Sequence, residues 1–311
     1  MRPWGSAVLG LTCAALFLGS ARAYVISPEP LLDLGVGVGG GVEALAGVWT
    51  GVASRGDTGS GPATVIHLSL RQGRRGGESQ HSLSCPVADF QNLTPDQVSS
   101  GPADVSFERV RDAGVLRLAG RFQSGEGAGH FSFVPSAAFQ VGMSTLGYPA
   151  IDTEKAYTLA VLDVSRRFIQ DLGALGYHGL SLEQLVALRV HRVDGAFIRA
   201  LKALGYDYLT ADRLVAFRVH GVSPEFIMQM RAVGYGRLGP YDLVSFRIHG
   251  VSAEFVRGLQ ALGYRGASPA DLLNLRIHGV TPDFVRRVNA SARTAVSVAR
   301  LVDLRIQGPQ P

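Results

Sequence analysis

From residue 165 onward, apolar and polar positions recur on a 29-residue step. Phe168, Phe197, Phe226, Phe255 and Phe284 keep that step, and so do Leu185, Leu214, Leu243, Leu272 and Leu301. Gly176-Tyr177, Gly205-Tyr206, Gly234-Tyr235 and Gly263-Tyr264 fall on it as well. Within one unit Phe255, Val256, Leu259 and Leu262 lie at i, i+1, i+4 and i+7, one face of a helix. Ser165, Asp194, Ser223, Ser252 and Thr281 precede these runs, each with a side chain able to accept from the free N–H groups of a helix start. Pro224 and Pro282 occupy the first helical position, where proline is tolerated. The glycine of each Gly-Tyr pair ends the helix by supplying a left-handed residue. A second cap (Ser181, Thr210 or Ser268) opens a second helix, which Gly221, Gly250, Gly279 and Gly308 close.

Such a helix–turn–helix unit cannot bury its apolar face alone, so neighbours are expected to stack into a solenoid. The expected solenoid spans residues 151–311 with about five repeats. Thr153–Val164 reads as a degenerate first helix without the arginine and histidine, a natural N-terminal cap. At the other end Ala292-Arg293 replaces Gly-Tyr and Gln307 replaces histidine, the atypical terminal unit that a finite stack requires.

Residues 46–148 carry a different period. Val48–Val52, Ala63–Arg71, Ser82–Phe90, Val105–Arg111, Val115–Phe122 and Gly129–Val134 read as strands. Asp112-Ala113-Gly114 predicts a three-residue hairpin loop, and Gly125-Glu126-Gly127-Ala128-Gly129 signals a second hairpin. Closely spaced strands with short turns predict a small antiparallel barrel or sandwich. Trp49 is expected to anchor its core, the alternative being a ligand-stacking ring in a barrel wide enough for a small molecule.

Composition alters this picture mainly at the N-terminus. Arg2, the apolar stretch Ala7–Leu18 and the small-x-small signal Ala21-Arg22-Ala23 predict a secretory signal peptide cleaved after Ala23. Residues 24–45, with Gly35, Gly37, Gly39, Gly40 and Gly41, read as a Gly-rich linker; no strand precedes these glycines, as a dinucleotide fingerprint would need. The 311-residue chain carries a formal charge of +5, of which the signal contributes two. The remainder divides into 8 basic and 11 acidic residues over 24–150, and 20 basic and 14 acidic over 151–311. An extracytoplasmic address argues against nucleic acid, and no further apolar segment predicts a membrane span. Once Cys13 leaves with the signal, Cys85 has no internal disulfide partner, and a partly buried thiol is the expected role.

The periodic polar residues are the candidate partner-binding set. Arg189, Arg218, Arg247, Arg276 and Arg305 form one row; His191, His220, His249 and His278 form a second. The arginines could pair with Glu225, Glu254 and Asp283, or with carbonyls of the adjoining unit, as a structural ladder. They could instead present a basic stripe to an acidic partner. Equivalent positions in stacked helices sit roughly 8–10 Å apart, too far to share an ion. The histidines therefore read as helix-end caps, with metal binding or proton sensing as the alternative. The tyrosines read as inter-repeat packing. There is no His-Glu-x-x-His helix, no Gly-x-Ser-x-Gly elbow, no Walker-type loop and no paired-cysteine motif, so no enzyme, cofactor or metal site is expected.

Units such as Leu243-Val244-Ser245-Phe246-Arg247-Ile248-His249-Gly250-Val251-Ser252-Ala253-Glu254-Phe255 resemble helical repeats at the extracytoplasmic C-terminus of some bacterial regulatory metallopeptidases related to beta-lactam-sensing antirepressors. Val105–Gly114, followed by Gly129-His130-Phe131-Ser132-Phe133, resembles the β segment that precedes those repeats. The resemblance implies a sensing or interaction module. It does not imply peptidase activity, because the multi-span membrane domain and the zinc-binding helix are missing from this sequence. The expectation is an α+β multidomain protein, periplasmic or secreted: a small antiparallel β barrel or sandwich, then an all-α solenoid of 29-residue helix–turn–helix repeats. The expected function is non-catalytic binding, with the solenoid as a protein-interaction scaffold. The alternative is a ligand-sensing module with a small molecule in the β domain.

Overall fold

The computed structural model describes residues 45–57, 61–74, 77–292 and 295–308. The signal peptide, and all of the Gly-rich linker except Leu45, lie outside them. The architecture is α+β: an antiparallel six-stranded sheet followed by a run of helices. The strands are β1 (Leu45–Asp57), β2 (Pro62–Arg74), β3 (Gly77–Pro86), β4 (Ala103–Arg111), β5 (Gly114–Gln123) and β6 (Glu126–Pro135). Their order is β3-β2-β1-β6-β5-β4, two three-stranded meanders joined through the antiparallel β1–β6 pair.

The sheet is open, which corrects the barrel or sandwich expectation. One face is apolar, and its cover comes from helices instead of from closure of the sheet on itself. Tyr157 of α3 (Thr153–Val161) stacks on Phe131 at 5.7 Å and meets Phe133 edge-on at 5.5 Å. Val98 of the short α1 (Pro95–Ser99) is fully buried beside the same sheet. Trp49 fulfils its expected role: it is 1% exposed, packs against Phe107 and Phe122, and donates its Nε1–H to Ala119 O at 3.2 Å. Gly129 makes room for that ring, since a Cβ there would lie 2.8 Å from Trp49 Nε1.

Both hairpins form, each with a loop shorter than expected. Arg111 pairs with Gly114, so that only Asp112 and Ala113 remain in the loop. Gln123 pairs with Glu126, and Ser124 and Gly125 take φ of 51° and 86°, the double positive φ of a type I′ turn.

The helices alternate in two sets. The first set is α2 (Ala137–Thr145), α4 (Arg166–Ala174), α6 (Gly195–Ala203), α8 (Pro224–Ala232), α10 (Ala253–Gln260) and α12 (Pro282–Ala292). The second is α3, α5 (Leu182–Val190), α7 (Ala211–Val219), α9 (Pro240–Ile248), α11 (Pro269–Ile277) and α13 (Val298–Gln307). The expected caps are in place: Ser165, Asp194, Ser223, Ser252 and Thr281 each accept from the backbone N–H of the phenylalanine that follows. Ser181, Thr210 and Ser268 cap the second set in the same way. Helices of like position pack on one another, α5 on α7, α7 on α9, α9 on α11 and α11 on α13, with α6 on α8, α8 on α10 and α10 on α12 beside them.

The 29-residue step also begins one unit earlier than the sequence pattern suggests. Ser136 caps α2, Phe139 is fully buried, and Gly147-Tyr148 closes the helix, each one full step before its counterpart Ser165, Phe168 or Gly176-Tyr177 at α4. In consequence α3 holds the second-helix register, not the first. Among the described residues, no helix is long and apolar enough to cross a membrane.

Candidate functional site

The arginine row stacks on aromatic rings, with Arg189, Arg218 and Arg276 half-buried and Arg247 and Arg305 exposed. Each guanidinium lies over the phenylalanine of the preceding first-set helix: Arg189 over Phe168 at 4.7 Å, Arg218 over Phe197 at 3.9 Å, and Arg247 over Phe226 at 5.1 Å. Arg276 over Phe255 and Arg305 over Phe284 continue the series at 5.1 and 5.4 Å. The Nε–H groups of Arg247 and Arg276 donate to the carbonyls of His220 and His249, at 3.3 and 3.2 Å. Arg189 donates to the Asp163 carbonyl at 2.8 Å, and Arg218 lies 4.0 Å from Asp194. The carbonyl acceptors lie at second-set helix ends of the preceding unit, whereas Asp194 is the N-cap of α6 in the unit of Arg218 itself. Of the carboxylates expected to serve the row, Asp283 pairs instead with Arg286 of its own helix.

The four histidines are the C-cap residues of α5, α7, α9 and α11. The capping contact seen at His220 and His249 runs through the backbone carbonyl and not through the ring. His220 and His249 are exposed, while His191 and His278 are half-buried. Among the described residues no three His, Cys, Asp or Glu side chains come together as a metal-holding group.

Two further ladders fasten adjacent units. The hydroxyls of Tyr148, Tyr177, Tyr206, Tyr235 and Tyr264 donate to the carbonyls of Leu180, Leu209, Leu238, Ala267 and Val296, each 32 residues ahead, at 2.6–2.9 Å. Lys202, Arg231 and Gln260, which share one register of the repeat, donate to the carbonyls of Leu175, Leu204 and Val233 at the ends of first-set helices. Arg231 and Gln260 therefore bridge units.

The sheet is tied to the first helices by buried charge. Arg109, 7% exposed, donates to the carbonyls of Ala160 and Val161 at the end of α3, at 3.3 and 3.1 Å. Arg111 bridges Asp89 at 2.7 Å and Asp163 at 3.4 Å, and Asp163 also pairs with Arg189. Arg166 forks onto Asp112, whose carboxyl is held below its ordinary range by that hydrogen bonding. Cys85 is buried next to this network, and burial pushes its thiol up to about 11, with Arg109 opposing.

What the arginines leave exposed is a row that the sequence pattern alone did not single out. Val190, Val219, Ile248, Ile277 and Ile306 are 52%, 53%, 55%, 55% and 61% exposed, one on each second-set helix from α5 to α13 at the same register. Single exposed aliphatics are ordinary, but five at one register on helices packed side by side make a stripe. The step that revealed the phenylalanines also contained these positions. In α3, which packs on the sheet, the same register holds Val161, and it is buried.

At the N-terminal end of the stripe an open groove of about 470 Å³ lies between α3 and α5. Leu159, Leu182, Val186 and Val190 give it an apolar lining. Asp152, Glu154 and Glu183 bring three carboxylates to it, against the single ammonium of Lys155. Its own backbone N–H and the Ser181 hydroxyl hold the Glu183 carboxyl below its ordinary value.

One constellation on the sheet has the elements of nucleophilic chemistry. On its exposed face His67 Nε2 lies 3.0 Å from Ser54 Oγ and His67 Nδ1 lies 2.7 Å from Ser84 Oγ. All three side chains are exposed, and Ser84 stands where an activating carboxylate would orient the ring. Compared with known proteins, the chain matches no protein-family model, no curated protein and no solved structure.

Proposed function

We propose that this is an exported, non-catalytic binding protein whose helices stack as an α-solenoid of 29-residue units, with the second-set helices presenting the face that engages a protein partner outside the cytoplasm. The observation that carries this reading is the aliphatic row Val190, Val219, Ile248, Ile277 and Ile306, exposed on each second-set helix from α5 to α13 while the neighbouring arginines are stacked on phenylalanine. Its cost in exposed apolar area is repeated at each unit, which packing within the chain does not explain. The resemblance to the extracytoplasmic repeats of regulatory metallopeptidases points the same way, toward a sensing or interaction module. The small-molecule alternative needs room on the buried face of the sheet, where Trp49, Phe107 and Phe122 are packed together.

A photo-crosslinking residue placed at Ile277 of the chain, expressed in its own cells, tests this. A discrete adduct outside the cytoplasm is expected from Ile277 and not from Arg257, an exposed position on α10. Adducts of equal yield from both positions, or none from Ile277, would overturn the reading.

A further inference from the structure

We propose that the groove between α3 and α5 is the seat of a basic, aliphatic peptide segment of the partner. This rests on the binding reading above and names the chemistry of the segment bound.

The groove has a structural cause. In the packed pairs α5–α7, α7–α9, α9–α11 and α11–α13, each second-set helix lies against its successor. Helix α3 is instead drawn to the sheet, its last carbonyls held by Arg109 and its Tyr157 ring stacked on Phe131. Space therefore opens between α3 and α5, and α5 turns Val186 and Val190 toward it.

The lining selects the occupant. Leu159, Leu182, Val186 and Val190 offer contact to aliphatic side chains, whose transfer from water is favourable in proportion to the area covered. The rim carries three carboxylates and one ammonium, and the ammonium of Lys155 is already 3.5 Å from Asp152 and 3.1 Å from the Ala150 carbonyl. A segment with lysine or arginine beside its aliphatic residues meets complementary charge there, whereas an acidic one is repelled. The acidic register continues onto α7, where Asp212 occupies the position that Glu183 holds on α5. The positive net charge of residues 151–311 is thus not uniform, and this register is acidic on α5 and α7.

The test is fluorescence anisotropy with the full mature chain and three labelled peptides of equal length. One is built of leucine and lysine, one has glutamate in place of lysine, and one has serine in place of leucine. Saturable binding of the leucine–lysine peptide is expected, at least tenfold tighter than either analogue and weakened by salt. Val190→Asp, at an exposed position that should not disturb folding, is expected to weaken it about tenfold. Glu183→Gln is expected to weaken it about threefold and to reduce the salt dependence. Tyr208→Ser, at a side chain 98% exposed and outside the groove lining, should leave it unchanged. No saturation, equal binding of the glutamate analogue, or self-association of the chain abolished by Val190→Asp would overturn the groove proposal. None of those results touches the crosslinking outcome at Ile277, so the two readings fail separately.

Discussion

A tyrosine hydroxyl that reaches a backbone carbonyl in the next unit is a small contact made again at every step. At Tyr235 the acceptor is Ala267 O at 2.6 Å, and the ring also packs against Phe246 at 6.4 Å. Tyr235→Phe keeps the ring and orphans one carbonyl, so a loss of about 1 kcal/mol is expected in urea unfolding. Tyr208→Ser, at a side chain 98% exposed, should change nothing measurable. The spacing made the tyrosine row legible; its acceptors were not, because a backbone carbonyl has no sequence identity to mark it. The arginine row was ambiguous for the same reason. Cys85 offers a sharper check. Its folded value, about 11, lies above the unfolded value near 8.5, so the stabilisation is complete below roughly pH 8.5 and is lost as pH rises toward 11. The native thiol should not react with a disulfide reagent at pH 8, and should react fully once urea exposes it.

Helix ends were the best-specified elements, because a capping side chain and a positive-φ glycine act locally and need no tertiary information. Gly234 and Gly263, at φ of 96° and 97°, stand where the pattern put them. The open sheet was less legible: alternation fixes which residues share a face, but not what covers that face. Helix α3 provides that cover, and its register is hidden in the sequence because Ala160 and Leu162 stand in place of the arginine and histidine. The β4–β5 loop is tighter than its sequence suggests, and the difference matters. With only Asp112 and Ala113 at the tip, the Asp112 carboxylate accepts both from the Arg166 guanidinium and from the Arg166 backbone N–H at 2.8 Å. The hydrogen bonds from Arg166 depress the folded value of Asp112, so their stabilisation is present above the unfolded value near 3.9 and is lost as pH falls through the folded one. Asp112→Asn should therefore lower stability at pH 7 and flatten the acid limb of the pH–stability curve, with the two proteins converging at low pH.

Across the molecule, the two regions carry opposite net charge, yet individual pairs between them run both ways. Asp112 of the sheet meets Arg166 of α4, while Arg111 of the sheet meets Asp163 beyond α3. Net charge was therefore a poor guide to the junction, and the buried reach of Arg109 was invisible in it. Along the helices the governing lengths are local. Tyr206 reaches Leu238, Arg276 reaches His249, and Arg247 lies over Phe226, none of them farther than an adjoining unit. Contacts of this reach suit the proposed solenoid, in which each unit would meet only its neighbours. Removing residues 223–251 joins Val222 to Ser252 and restores every such contact by translation: Tyr206 would find Ala267 O, and Arg276 would find His220 O. The shortened chain should therefore fold cooperatively, with a urea dependence reduced in proportion to the surface lost. Removing about half as many residues from the same start would place Gly239 against Val222 and shift a first-set register onto a second-set helix. That variant should be largely unfolded by circular dichroism. If both deletions behaved alike, the nearest-neighbour stack would be the wrong description of how these helices hold together.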